Sequence, residues 1–170
     1  RGEGTKAPLN GCNLRKTSPH LKPAPLQMFQ EVTKPFQRVA MDIVGPITTS
    51  TNGNKYILTF QDYFSKWIEA VPLPDQKAVT IARAFAEQII SRHGAPEQLL
   101  TDQGANFVGE LFKEVCKVFK IQKLQTTPYH PSANGMIERT HRTLKDILSH
   151  YIEQDQRNWD LWIPYVTMAY

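Results

Sequence analysis

The chain has 170 residues, 41% of them hydrophobic and 21% charged, enough for one domain with a real core and too few for two full ones. Its formal charge of +4 is a mild basic bias that permits nucleic acid as a partner without establishing one. No apolar run reaches the roughly eighteen residues needed to span a bilayer, and nothing at the start resembles a signal peptide, so a soluble chain with no membrane partner is expected.

Two cysteines, Cys12 and Cys116, imply no disulfide framework, which suits a reducing compartment. Cys116 falls in the pattern Phe112, Val115, Cys116, Phe119 and reads as a buried small hydrophobe. The first methionine is Met28, and Trp159 to Tyr170 is apolar-rich with no terminating signal, so the chain reads as cut at both ends.

The first 35 residues lack sustained periodicity and carry Pro8, Pro19, Pro23, Pro25 and Pro35 among basic residues. Residues 1–16 read as a remnant and 17–35 as an extended linker. The character changes at Phe36. Arg38 to Val44 reads as a short apolar strand stopped by Gly45-Pro46. Thr51-Asn52-Gly53-Asn54 is turn chemistry, Lys55 to Phe60 is a second strand and Trp67 to Leu73 a third. Two hairpins in succession give an antiparallel meander.

The period then lengthens. Ala78, Ile81, Ala82, Phe85, Ala86, Ile89 and Ile90 recur at helical spacing, with Gly94 and Pro96 as the stop. Gln98 to Thr101 is a short strand ending at Asp102, and Phe107 to Phe119 reads as one helix. Ile121 to Thr126 is a fifth strand; Pro128 and Pro131 hold a loop, and a long helix opens near Asn134 and runs to about Ile152. The order β-β-β-α-β-α-β-α describes an α/β domain, a mixed five-stranded sheet flanked by helices, over residues 36–170.

Three carboxylates stand out. Asp42 lies inside the apolar strand Val39 to Val44, where a charge is costly unless paired or turned to solvent. Asp102 sits where a strand leaves the sheet, the place where α/β folds build sites, although capping the next helix would also account for it. Glu138 falls in the first turn of the long helix, which the dipole alone would favour. If the two strands are neighbours and the helix docks over their ends, the three converge and repel one another unless divalent cations sit among them. The 36-position step from Asp102 to Glu138 is weak evidence. Four aspartates have a residue at that distance and glutamate is about 5% of the composition, so chance supplies such a pair roughly one time in five.

The surrounding words carry more. Val39-Ala40-Met41-Asp42-Ile43-Val44-Gly45-Pro46, Asp62-Tyr63-Phe64-Ser65-Lys66-Trp67, Thr101-Asp102-Gln103-Gly104-Ala105-Asn106-Phe107 and Thr127-Pro128-Tyr129-His130-Pro131 leading into Asn134-Gly135-Met136-Ile137-Glu138-Arg139 follow in order. In that order they closely resemble the integrase catalytic core of Ty3/gypsy-type long-terminal-repeat retrotransposons, within the retroviral integrase superfamily. The resemblance covers roughly residues 35 to 170 and implies an RNase H-like fold. Asp42, Asp102 and Glu138 match the family's Asp-Asp-35-Glu triad, implying two Mg²⁺ (or Mn²⁺) ions and a polynucleotidyl transferase that performs 3′-end processing and strand transfer into target DNA. DNA, self-association and a nuclear location, with a cytoplasmic particle stage for an active element, are implied likewise.

Around the triad, Arg142 and Lys145 follow Glu138 at four and seven positions, near its helix face, and with Arg139 are expected to hold phosphates. A solvated polar face is the alternative. His130 and Asn134, in the loop, are candidate DNA contacts, and His130 has no partner at ligand spacing that would make it a metal ligand. Asp62 is expected to stabilise a turn.

The sequence departs from the family upstream. The zinc domain closes with two cysteines three positions apart; Cys12 aligns with the second, position 9 is Leu9, and no histidine precedes it. One cysteine cannot make a four-ligand site, so no zinc is expected in this chain. Two rivals remain: a host-domesticated, nucleic-acid-binding derivative with little or no activity, and a nuclease or cut-and-paste transposase of the same fold.

Overall fold

The computed structural model describes residues 31–102, 104–125, 135, 139–144, 146, 148 and 157–169, all within one compact unit, Glu31–Tyr170. Five strands form one sheet: β1 (Arg38–Val44), β2 (Tyr56–Asp62), β3 (Ile68–Leu73), β4 (Gln98–Thr101) and β5 (Gln122–Gln125), in the order β3-β2-β1-β4-β5. β1 to β3 pair antiparallel as the two hairpins require, whereas β4 and β5 run parallel to β1. The central strand is therefore the one that carries Asp42.

Parallel pairing needs crossovers, and helices supply them. α1 (Ala78–Phe85) continues through a π-helical turn at Ala86–Ile90 into α2 (Ser91–His93). It stops at Gly94, whose φ of 83° lies where a side chain is strained. The helix expected over 107–119 is two pieces, α3 (Ala105–Val108) and α4 (Glu110–Val118). Gly109 between them takes ψ 153°, an extended conformation that ends one helix and precedes the next. Residues 139–144, with 135, 146 and 148, are helical and form α5. α6 (Trp159–Ala169) was not readable as a helix: its apolar residues encircle it and Pro164 lies inside it. No helix among the described residues is long and apolar enough to cross a membrane.

Strand alternation sorts the side chains onto two faces. Val39, Met41, Leu58, Phe60 and Leu99 point to one, where they meet Ile81, Phe85, Ile89, Phe112 and Cys116. Phe60 stacks on Phe85 at 5.9 Å between ring centroids, and Phe112 lies 6.1 Å from Phe85. Cys116 is buried here as the sequence suggests, and burial pushes its thiol pKa up. The intervening residues face the other way. Val44 and Ile57 pack there with Leu144 and Leu148 of the α5 region and with Trp159, Ile163 and Val166 of α6. α6 is further tied to the β1–β2 connection: Trp159 Nε1 donates to the Thr48 carbonyl, and the Asp160 carboxylate accepts from Ser50, Asn52 and Asn54 at 2.7–3.1 Å. Those donors hold the buried Asp160 carboxyl below its ordinary pKa despite its burial.

Candidate active site

Because Ala40, Asp42 and Val44 alternate with Val39, Met41 and Ile43, Asp42 shares the α5-facing side of the sheet with its register partner Thr59. On its other side β1 pairs with β4 through Val39↔Leu99 and Ala40↔Leu100. Asp42 and Asp102 each stand two residues beyond that last pair, so continuing the register brings them alongside one another. The two carboxylates expected from the sequence thus belong to the same end of two adjacent parallel strands.

Local contacts fix both. Asp42 Oδ1 accepts from the Ile43 amide at 2.8 Å, and its side chain keeps 30% of its surface exposed. Burial pushes the Asp42 carboxyl up to about 6; the Ile43 amide works against this and the charge of Asp102 adds to it. Asp102 Oδ1 accepts from the Gly104 amide at 2.9 Å. A side chain at Gly104 would set its Cβ 2.9 Å from that same oxygen, so a residue other than glycine would make the Asp102 carboxylate shift. Lys123, at the Leu99 register position of β5, donates to the Phe107 carbonyl, lies 5.5 Å from the Phe112 ring and feels the charge of Asp102. Burial lowers its pKa.

Two participants were not picked out from the sequence. His141 of α5 places Nε2 2.9 Å from the Thr59 hydroxyl and Nδ1 3.8 Å from Asp42 Oδ2. Thr59 in turn donates to the backbone carbonyl of Asp42 at 3.1 Å. One residue earlier on α5, Thr140 donates to Gln61 at 2.8 Å, both side chains buried. The signal was present in the hairpin register, which sets Thr59 opposite Asp42, but nothing local to His141 announces a partner 82 positions away.

The other expectations divide. Arg139 and Arg142 are exposed on α5. Glu138, His130, Asn134, Lys145 and Cys12 lie outside the described residues, as does most of the loop preceding α5. Asp62 is a turn stabiliser, as expected: its oxygens accept from the Phe36 amide at 3.0 Å and from the Ser65 amide and hydroxyl at 2.8 and 2.6 Å. Among the described residues, no three His, Cys, Asp or Glu side chains gather as a metal-ligand set. The two carboxylates that the register sets side by side, Asp42 with its pKa raised by burial and further by the charge of Asp102, are hard-oxygen groups of the kind that suits Mg²⁺ or Mn²⁺.

A mixed five-stranded sheet with β1 at its centre and helices on both faces places the chain in the RNase H-like class of α/β domains. Within that class the integrase core domain family matches residues 32–131, and the chain belongs to this family, in the retroviral integrase superfamily. It is similar to the retrovirus-related Pol polyprotein from transposon 412 of Drosophila melanogaster, 32% identical over 146 residues, covering 86% of this chain and 12% of that one. It is similar also to the gypsy retrotransposon integrase-like protein 1 of Bos taurus, 29% identical over 159 residues, 94% of this chain and 31% of that protein. The chain therefore spans about an eighth and a third of these relatives. The magnesium-bound catalytic core domain of HTLV-2 integrase, in a trimeric form, superposes with a TM-score of 0.64 at 20% identity, over 79% of this chain and 84% of that one.

Proposed function

We propose that the chain is the catalytic core of a polynucleotidyl transferase that processes the 3′ ends of retroelement DNA and joins them to target DNA. The supporting observation is the β1–β4 register, which when continued sets Asp42 alongside Asp102, with burial pushing the Asp42 carboxyl up to about 6 and its neighbour's charge adding to it. Asp42, Asp102 and Glu138 are the proposed metal-binding carboxylates. Bound there, two divalent cations would activate an attacking oxygen and stabilise the leaving one. The chain's own residues do the rest. Ile43 and Gly104 amides orient the two aspartates, each by a hydrogen bond to one oxygen. Asp42 Oδ2 and Asp102 Oδ2 are the proposed ligand atoms. Arg139 and Arg142, exposed on α5, with Lys145, His130 and Asn134, are proposed to hold the DNA backbone, a contact that positions without reading sequence. DNA, further copies of the chain and a nuclear setting complete the proposal. So does the division into a remnant at 1–16, a linker at 17–35 and the core at 36–170.

The decisive experiment is a strand-transfer assay on short duplex ends with Mg²⁺ or Mn²⁺. Asp102→Asn and Glu138→Gln should abolish joining while leaving the fold intact; joining at the parental rate in either variant would refute the assignment. Hydrolysis of ends with no joining by the parent would favour a nuclease.

A further inference from the structure

The layer between the sheet and α5 contains buried polar groups where hydrocarbon would have sufficed. Thr59, Gln61 and Thr140 are each at most 4% exposed, and burying such groups costs free energy unless each finds a partner. They find one another and His141. Consecutive residues of α5, Thr140 and His141, reach Gln61 and Thr59, which stand two apart on the same face of β2. Apolar packing tolerates a helix sliding or rolling by a fraction of a turn; two hydrogen bonds to fixed points on one strand do not.

Thr59 carries the second half of the device. Its hydroxyl donates to the backbone carbonyl of Asp42, and the same oxygen lies in hydrogen-bond contact with His141 Nε2 at 2.9 Å. A single side chain on β2 thus grips the strand residue that bears the Asp42 carboxylate and, at the same atom, the helix. The other ring nitrogen of His141 faces Asp42 Oδ2 across 3.8 Å. Glu138, the third proposed ligand, stands three positions before His141 in the chain.

From this relay we infer that Thr59 and His141 are positioning residues for metal binding, fixing α5 against β1 and so setting where the Asp42 carboxylate would meet a cation. The inference rests on the carboxylate assignment proposed above. Groups that orient metal ligands from behind typically change affinity by about 10–100-fold when removed. Here the contact reaches Asp42 through its backbone, so the low end applies.

The test is Mn²⁺ binding to this chain by calorimetry without DNA, alongside joining activity titrated with Mn²⁺. Thr59→Val keeps the volume and loses the hydroxyl; it should raise the Mn²⁺ dissociation constant about tenfold and shift the activity titration equally. Thr59→Ser, which restores the hydroxyl, should bind within about twofold of the parent. His141→Asn, at a less buried position, should weaken binding in the same direction, and circular dichroism with thermal melting reports whether each variant is folded. Thr59→Val and His141→Asn that are folded and bind Mn²⁺ as the parent does would overturn the inference. So would a Thr59→Ser variant as defective as Thr59→Val. Asp42→Asn and Asp102→Asn separate the two levels. If they bind Mn²⁺ unchanged, or if the parent binds none, the carboxylate assignment itself fails, whatever Thr59 does.

Discussion

The two faces of the sheet solve the same packing problem with different materials. Against α1 and α4 the contact is hydrocarbon and aromatic, with Phe60, Phe85 and Phe112 in series. Against α5 a smaller apolar cluster around Leu144, Leu148 and Trp159 is joined by Thr59, Gln61, Thr140 and His141. The first face supplies non-directional free energy, proportional to area and largely indifferent to small displacements. The second is directional: its hydrogen bonds contribute less net stability but define where the helix stands. Asp42 projects into the second. The fold is held from one side and aimed from the other.

Substitutions on the two faces should separate stability from function accordingly. The largest effect on stability is expected from Phe85→Ala. Phe85 is fully buried between two aromatic rings, and truncation there costs about 3–5 kcal/mol from lost transfer free energy and the cavity left behind. Urea denaturation should show that loss of midpoint; a shift below about 1 kcal/mol would mean that the aromatic series is not the main store of stability.

Asp42 is the next largest, and its sign is opposite to that of most carboxylates. Its carboxyl is raised to about 6 in the fold against 3.8 as a free group, so the folded state binds the proton more tightly. The contribution is fully present below pH 4, is lost as pH rises through 6, and amounts to up to about 3 kcal/mol. Asp160 and Glu69, both lowered, act in the other direction, so the informative quantity is the difference between the parent and Asp42→Asn. In metal-free chemical denaturation the parent should lose stability relative to Asp42→Asn between pH 4 and 7. Parallel pH curves would contradict the shift.

On the directional face, Thr140→Val leaves the Gln61 amide buried without its partner, at a cost of about 1–3 kcal/mol. Adding Gln61→Leu should recover much of that stability, since an apolar pair replaces an apolar–polar mismatch. The recovery tests the contrast directly. If stability returns but Mn²⁺ binding does not, the polar pair is there to aim the helix; if both return, hydrocarbon would have served as well.

How much of this was legible beforehand follows the same division. β1 and β4 were readable at their observed bounds, because apolar runs closed by Gly45-Pro46 or by Asp102 leave little freedom. That Asp42 and Asp102 come together depended on β4 lying beside β1, a condition the sequence left open and the sheet order meets. The break at Gly109 was hidden because the apolar spacing runs unbroken across it from Phe107 to Phe119. α6 was hidden because residues such as Leu161 and Tyr165 are apolar and yet exposed, leaving no stripe for a period to reveal. His141 was passed over for a different reason. Its neighbours Arg139 and Arg142 read as phosphate contacts, and its role depends on Thr59, a strand residue with no chemistry of its own until the hairpin register sets it opposite Asp42. Periodicity finds the hydrocarbon face; only register finds the other.

The smallest expected effect on stability carries the sharpest functional test. Gly104 has an ordinary negative φ of −55°, so alanine there suffers no backbone strain, and a half-buried loop site of this kind should change stability by less than about 0.5 kcal/mol. Its Cβ would nevertheless stand 2.9 Å from Asp102 Oδ1, well inside van der Waals contact, so the carboxylate must shift from the position in which the amide now holds it. Gly104→Ala should therefore melt with the parent and bind Mn²⁺ less well, whereas Gly109→Ala, where the nearest atom is 3.7 Å away, should leave metal binding unchanged. Equal metal binding in parent and Gly104→Ala would show that the Asp102 orientation seen here is not the one the ions use. Weakened binding without loss of stability would place Asp102, like Asp42, among groups whose direction matters more than their contribution to the fold.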